Sequence, residues 1–238
     1  MLLPLLALPL SGAPVAPAVG MPWGVAKGGE PLTVPLQILV VLTALTLLPA
    51  VFVSLTPFLR ITVVLHFLRQ ALGTQTAPSN QVLIGLALFL SLLIVRPVIV
   101  ESYETAWQPM EQGRLSRSEA WDRGTRPVKT FLLKFVREKD IALMLEITKT
   151  SPPRSAADLD LGILAPAYVL SELKTGFQIG AVLFLPFLII DIVIASVTLS
   201  IGMVQLPPVM ISAPFKILLF VLVDGWNLVV GSLMRSFL

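Results

Sequence analysis

Four ionisable residues lie within or beside long apolar stretches of this chain, namely Glu172, Asp191, Lys216 and Asp224. An isolated charge in a hydrocarbon environment is costly, so such residues pair with one another, become neutral or reach water. Ionisable residues in apolar segments of membrane proteins commonly mark functional positions. We therefore interpret these four residues as buried charges that support folding or assembly.

Spacing limits how Lys216 can be neutralised. It lies eight residues before Asp224, which corresponds to about 12 Å of rise along one helix. Contacts within a helix need a separation of three or four residues. We therefore expect a partner on another helix or subunit, with Glu172 as the first choice and Asp191 as the second. Two alternatives remain open: Lys216 could extend to an interface, and Asp224, followed by Gly225, could end a helix near water.

Residue types that carry most enzyme chemistry are scarce in the sequence. It contains no cysteine and one histidine, His66. No Gly-rich phosphate loop, HExxH motif, nucleophile elbow, carboxylate pair or cluster of potential metal ligands occurs. We expect no catalytic residues, no metal and no cofactor, and therefore a protein that is not an enzyme.

The composition identifies the class of protein that positions these charges. Hydrophobic residues make up 55% of the chain and charged residues 13%, whereas soluble domains carry about 25% charged residues. Four apolar segments are visible, at residues 36–59, 82–95, 177–203 and 217–234. The predicted fold is an all-α membrane protein, with four hydrophobic segments in two pairs and a polar helical region between the two pairs.

The order of segments predicts five regions. Residues 1–18 have the apolar stretch and the Ala-Pro-Ala ending of a signal peptide, although a disordered leader is the alternative. A flexible leader (19–35), a first hydrophobic helix pair (36–100), a polar and largely helical periplasmic region (101–165) and a second hydrophobic helix pair (166–238) follow. The second pair includes a Gly- and Pro-bounded turn at 202–208.

Within these regions, three finer features are expected. Residues 60–81 form a cytoplasmic linker, because they contain two arginines and no acidic residue. Residues 129–149 form one helix with apolar residues at i,i+4 spacing. Ser155 and Asp158 form a capping box for the next helix.

Long blocks of the chain resemble the FliP family of flagellar export proteins and their injectisome counterparts. The blocks are APAYVLSELKTGFQIG (165–180), RQALGTQTAPSNQVLIGLALFL (69–90) and PPVMISAPFKILLFVLVDGWNLVVGSL (207–233). The last block is closer to the flagellar branch. The resemblance implies a core subunit of a type III protein export gate, which forms a homo-oligomer, usually a pentamer, together with FliQ and FliR. It also implies a pore for unfolded flagellar proteins in the bacterial inner membrane, with much of the chain on the periplasmic side and the four hydrophobic segments folded as bent helical hairpins. Further membrane proteins of the export apparatus are expected as partners, and nucleic acid is not.

The family resemblance also suggests site residues. The turn Met203, Val204, Gln205 would form the pore constriction, where the family has a methionine-rich gasket. This sequence keeps only Met203, which could instead be an ordinary packing residue. Phe131 and Glu172 would lie at subunit contacts. The alternative functions are an injectisome gate subunit, a small-solute or ion permease that uses the intramembrane charges, and a structural membrane scaffold.

Overall fold

A computed structural model describes residues 33–74, 76–153, 155–202 and 207–237, and these residues form helices and connecting turns without a β-strand. The chain divides into two compact units, Met1–Leu48 and Pro49–Leu238. The helices are α1 (Val34–Leu55), α2 (Phe58–Ala71), α3 (Asn80–Ser102), α4 (Gln108–Glu111), α5 (Arg117–Phe135), α6 (Glu138–Thr148), α7 (Leu161–Ser200), α8 (Pro208–Leu222) and α9 (Gly225–Arg235).

Several helices have the length and composition of membrane spans. Three qualify individually: α1, the continuous segment Asn80–Glu111, and the 40-residue α7. The pair α8 and α9 would be a fourth span if its two helices count as one, and they meet at a bend of 66°. The predicted all-α membrane class is therefore confirmed. The predicted 82–95 segment is longer than expected, since Arg96 interrupts the apolar run but not the helix.

The prediction that residues 60–81 form a linker is wrong. Residues 58–71 form α2, whose side chains Ile61, Val64, Leu65 and Leu68 are buried in the core. These positions follow helical spacing, so one face of α2 is continuously apolar. The prediction failed because Arg60 was interpreted as a loop charge, whereas its side chain is buried.

The helices of the second unit are arranged around α2 and α7. Helix α2 packs between α3 and α7, and α8 packs on α7. Helix α5 contacts both α3 and α7, and α6 lies against α7. The approach of α2 to α7 is close, since a Cβ atom at Gly180 would lie only 2.5 Å from Phe67 Cγ.

The polar region differs from the prediction in two places. The expected single helix at 129–149 is two helices, because the backbone is extended at Val136 and Arg137. In place of the expected capping box at Ser155, residues 156–158 form a short 3₁₀ turn. Helix α7 is instead capped by Asp160, whose side chain accepts a hydrogen bond from the Gly162 amide. A true capping box joins Ser116 and Glu119 at the start of α5.

Candidate functional site

Three polar clusters attach other segments of the chain to α7. Their members on α7 are Ser171, Glu172 and Asp191, and the segments they bind are α6, α2 and α8 respectively. Two of the clusters lie among apolar helices, and the third joins the polar α5–α6 bend to α7; in each, the hydrogen bonds and ion pairs can form only at a defined register. The clusters therefore fix how the helices fit together.

Asp191 holds α8 against α7. Lys216 Nζ donates a hydrogen bond of 2.6 Å to Asp191 Oδ2, and Ser212 Oγ donates one of 2.5 Å to Asp191 Oδ1. The Lys216 side chain is 2% exposed and that of Asp191 is 24% exposed. Both oxygens of the carboxylate are thereby satisfied, which compensates for the loss of water around the pair.

The first-choice pairing of Lys216 with Glu172 is wrong in this chain, and the second choice, Asp191, is its partner. Glu172 precedes Asp191 by 19 residues, which places the two carboxylates about 28 Å apart along α7. Lys216 lies opposite Asp191 because α8 runs antiparallel to α7. The register between α7 and α8 decides which carboxylate faces Lys216. The fact that Glu172 lies beside an apolar segment in the sequence does not predict that register.

Glu172 instead forms an ion pair with Arg60 of α2, and both side chains are nearly inaccessible to solvent. Arg60 Nη1 also donates a hydrogen bond of 3.1 Å to Ser236 Oγ. The guanidinium carbon lies 4.0 Å from the centroid of the Phe237 ring and 5.5 Å from that of Phe135. Arg60 thus joins α2, α5, α7 and the segment that follows α9 through one delocalised, planar cation.

The third cluster connects the bend between α5 and α6 with α7. Arg137 binds both oxygens of Asp140 at 2.7 and 2.9 Å, and Ser171 Oγ donates a 2.5 Å hydrogen bond to Asp140 Oδ2. The Arg137 amide in turn donates to Ser171 Oγ. Burial alone would raise the pKa of Asp140, but the hydrogen bonds from Ser171 and Arg137 outweigh it and hold the pKa below its ordinary value.

The other predicted residues have different surroundings. Asp224 is exposed at the bend between α8 and α9, with a φ of 51°, so its assignment as a buried charge is wrong within this chain. Phe131 is half-buried and packs near Tyr168 and Phe135, which leaves its role as a subunit contact a prediction. The turn Met203, Val204, Gln205 lies outside the described residues.

The sequence analysis missed Arg60, Arg137, Asp140 and Ser171. Arg60 had a recognisable signal, because it stands at helical spacing before Val64 and Leu68 in an apolar pattern. Asp140 lay in a charged stretch and offered no such signal. Among the described residues, no group of three His, Cys, Asp or Glu side chains could hold a metal ion. The hydrogen bonds and ion pairs of the three clusters connect helices to one another.

Comparison with known proteins identifies the type of protein that carries this arrangement. The FliP family model matches residues 41–233, which include the three ion pairs of these clusters. The chain belongs to the FliP family.

FliP relatives are similar over most of this chain. The flagellar biosynthetic protein FliP of Pectobacterium carotovorum subsp. carotovorum is 49% identical over 211 residues, which cover 89% of this chain and 82% of that protein. The FliP of Bacillus subtilis is 49% identical over 208 residues, with 87% and 94% covered. The FliP of Borreliella burgdorferi is 40% identical over 214 residues, with 89% and 84% covered.

Proposed function

We propose that the chain is a core subunit of the flagellar type III export gate. In this proposal, several copies assemble, usually as a pentamer, with FliQ and FliR into a pore in the inner membrane. Unfolded flagellar proteins cross the membrane through this pore. The observation that carries the proposal is the FliP family match over residues 41–233, which extends from α1 into α9.

The distribution of apolar surface supports an assembly. Large hydrophobic side chains are exposed along α1, α3, α7 and α8, while the charges of Glu172 and Lys216 are neutralised inside the chain. Exposed apolar surface of this extent requires lipid or protein partners. A subunit whose internal charges are already paired can offer this apolar surface to neighbouring subunits or to lipid without disturbing its own core.

In the proposed gate, the turn of Met203, Val204 and Gln205 lines the pore. The turn connects α7 and α8, and the Lys216–Asp191 pair fixes the register of these two helices. The chain contains no cysteine, so a cysteine introduced at position 203 or 204 can be labelled selectively. Crosslinking to a stalled export substrate is the expected result, and labelling only by lipid-soluble reagents would contradict the pore assignment.

We further propose that residues 1–18 are removed as a signal peptide and that much of the chain lies on the periplasmic side. N-terminal sequencing of the membrane-extracted protein tests the first point, with Val19 as the expected first residue. Retention of Met1 would contradict it. The gate acts in this proposal as a structural conduit of the export apparatus rather than as a catalyst.

The decisive experiment measures the mass of the complex after co-expression with FliQ and FliR, together with secretion of a flagellar substrate in a strain that lacks its own FliP. A heteromeric complex with several copies of this chain and restored secretion are expected. A monomer or small homo-oligomer that conducts small solutes but secretes no protein would favour the permease. The flagellar names of the similar proteins favour the flagellar gate over the injectisome gate.

A further inference from the structure

The outward face of α3 carries one charge in an apolar surface. Arg96 is exposed, and among the described residues it forms no hydrogen bond or ion pair. The side chains around it are large and apolar: Phe89, Leu92, Leu93, Ile99 and Val100. A guanidinium that loses its water in an apolar contact requires a carboxylate or a phosphate as partner. The Arg96 face of α3 therefore needs a carboxylate or a phosphate from another molecule before it can form a stable contact.

A complementary surface occurs on α6. Glu146 is exposed and also has no side-chain partner within the described part of the chain. It lies between Leu143 and Ile147, which are 42% and 65% exposed. The three residues share one face of the helix, since they are separated by three and four positions. Helix α6 thus presents an unpaired carboxylate within a small apolar patch.

The two surfaces lie on different flanks of the subunit. Helices α2 and α5 each contact both α3 and α7, whereas α6 packs on α7 and has no comparable contact with α2, α3 or α5. The order from one flank to the other is therefore α3, then α2 and α5, then α7, then α6. Surfaces on different flanks can join successive copies head to tail, which is how a heterologous interface forms a ring or a helix.

The position of Arg96 along the axis of α7 follows from the residues around its neighbour Val95. Val95 lines a groove together with Leu55 and Val128. Leu55 and Val128 in turn pack against the buried cluster of Leu132, Leu164 and Tyr168. Arg96, adjacent to Val95, therefore lies at the level of this cluster, whose members on α7 are Leu164 and Tyr168.

The direction of α6 follows from the burial pattern of α7. Asp140, in the first turn of α6, bonds Ser171. On this side of α7, Ala167 and Ser171 are buried, whereas Lys174 and Gln178 are exposed. These four residues share a face because their spacing is four, three and four. Helix α6 therefore runs from Ser171 back towards the start of α7.

Glu146 consequently lies at about the same position along the axis of α7 as Arg96. It follows Asp140 by six residues, or about 9 Å, and Leu164 precedes Ser171 by seven residues, or about 10 Å. Asp224, an exposed carboxylate at the bend between α8 and α9, is less suitable. It follows Phe220, which packs with Leu68, at the opposite end of α2 from Leu55.

We propose that Arg96 of one copy forms an ion pair with Glu146 of the next copy, and that the surrounding apolar side chains of α3 and α6 complete a head-to-tail interface. The proposal rests on the homo-oligomer of the proposed function and specifies which surfaces meet. Both charges are unpaired among the residues that the structure describes, and they are of opposite sign. Both lie among exposed hydrophobic residues, so a second copy supplies the opposite charge and the apolar contacts that each surface lacks.

Crosslinking in the cysteine-free chain tests this interface. Arg96→Cys and Glu146→Cys are combined, the protein is expressed with FliQ and FliR, and membranes are treated with a bis-maleimide that spans two long side chains. A ladder of covalent multimers is expected. Each single variant should give no ladder, because unlike faces meet in a heterologous contact. The control pair Arg96→Cys with Asp224→Cys should also give none.

Charge reversal provides a second test that does not depend on crosslinking. Arg96→Glu and Glu146→Arg should each reduce the yield of the multimer about tenfold, and the two together should restore most of it. If neither reversal changes the yield of a normal multimer that secretes, the interface is wrong while the proposed function stands. If the unmodified chain is monomeric and secretes nothing, both fail.

Two other outcomes would also overturn the interface. A ladder formed by Arg96→Cys alone would indicate that two α3 faces meet. Loss of co-purified anionic phospholipid in Arg96→Gln, without loss of the multimer, would assign Arg96 to a lipid phosphate instead.

Discussion

Lys216 and Asp191 are 25 positions apart in the sequence and joined by a 2.6 Å hydrogen bond between α8 and α7. The bond fixes the register of the hairpin that ends in the proposed pore turn. Ser212 occupies the second carboxylate oxygen, so the pair has little freedom to change partners. Each of the two charges depends on the other, which makes single and double substitutions informative.

The first prediction concerns this pair. Lys216→Ala and Asp191→Ala should each destabilise the protein by about 3 kcal/mol, the lower end for a buried pair, because Asp191 retains some access to water. The double alanine variant should lose less than the sum of the two single losses. Thermal unfolding in detergent measures all three. Combining Lys216→Ala with Glu172→Ala should give additive losses, and coupling between those two residues would contradict the observed pairing.

The second prediction concerns Arg60, the buried cation in the first turn of α2. Arg60→Lys keeps the charge but loses the planar guanidinium that stacks on Phe237, so we expect a loss of about 1–2 kcal/mol. Phe237→Ala should cost about 3 kcal/mol or more, because the ring is buried. Arg114→Lys and Phe215→Ala, at exposed positions, are the matched controls. Equal unfolding temperatures for the buried and exposed variants would exclude a central role for Arg60.

The third prediction is a dependence of stability on pH. The lowered pKa of Asp140 means that its carboxylate stabilises the fold fully above the unfolded-state pKa of about 3.9. This contribution is lost as the pH falls through the lower, folded-state pKa. Asp140→Asn should therefore reduce stability at pH 7 and flatten its decline in acid, as followed by circular dichroism. Asp158→Asn, at an exposed position, should leave the profile unchanged, and an unchanged profile for Asp140→Asn would contradict the prediction.

The fourth prediction tests the close approach of α2 to α7. In Gly180→Ala, the new methyl group would lie within 3 Å of the Phe67 ring and its Cβ. The helices must separate, at a cost of about 1–3 kcal/mol. Gly85→Ala is the control, since no atom lies within 4 Å of its added Cβ, and it should be neutral or slightly stabilising in a helix. A neutral Gly180→Ala would show that the contact is not tight.

Hydropathy predicted the helical membrane class because long apolar helices are encoded locally, residue by residue. It failed for α2, where a buried arginine resembled a loop charge. Spacing correctly excluded a bond between Lys216 and Asp224, since that argument needs only the geometry of one helix. The choice between Glu172 and Asp191 depended on the register between two helices. That register is set by packing along the whole hairpin, and no short sequence pattern reports it.

Arg60 acquires its partners at very different times while the protein is being made. Glu172 leaves the ribosome 112 residues after Arg60, and Ser236 follows 176 residues after it. Until residue 237 has been synthesised, the guanidinium lacks the ring that covers it. A chain that stops before Ser236 therefore contains Arg60 and Glu172 but lacks both the hydroxyl and the ring that the last described residues bring to the guanidinium. Truncation by only a few C-terminal residues should thus leave the buried cation near the start of α2 partly uncovered.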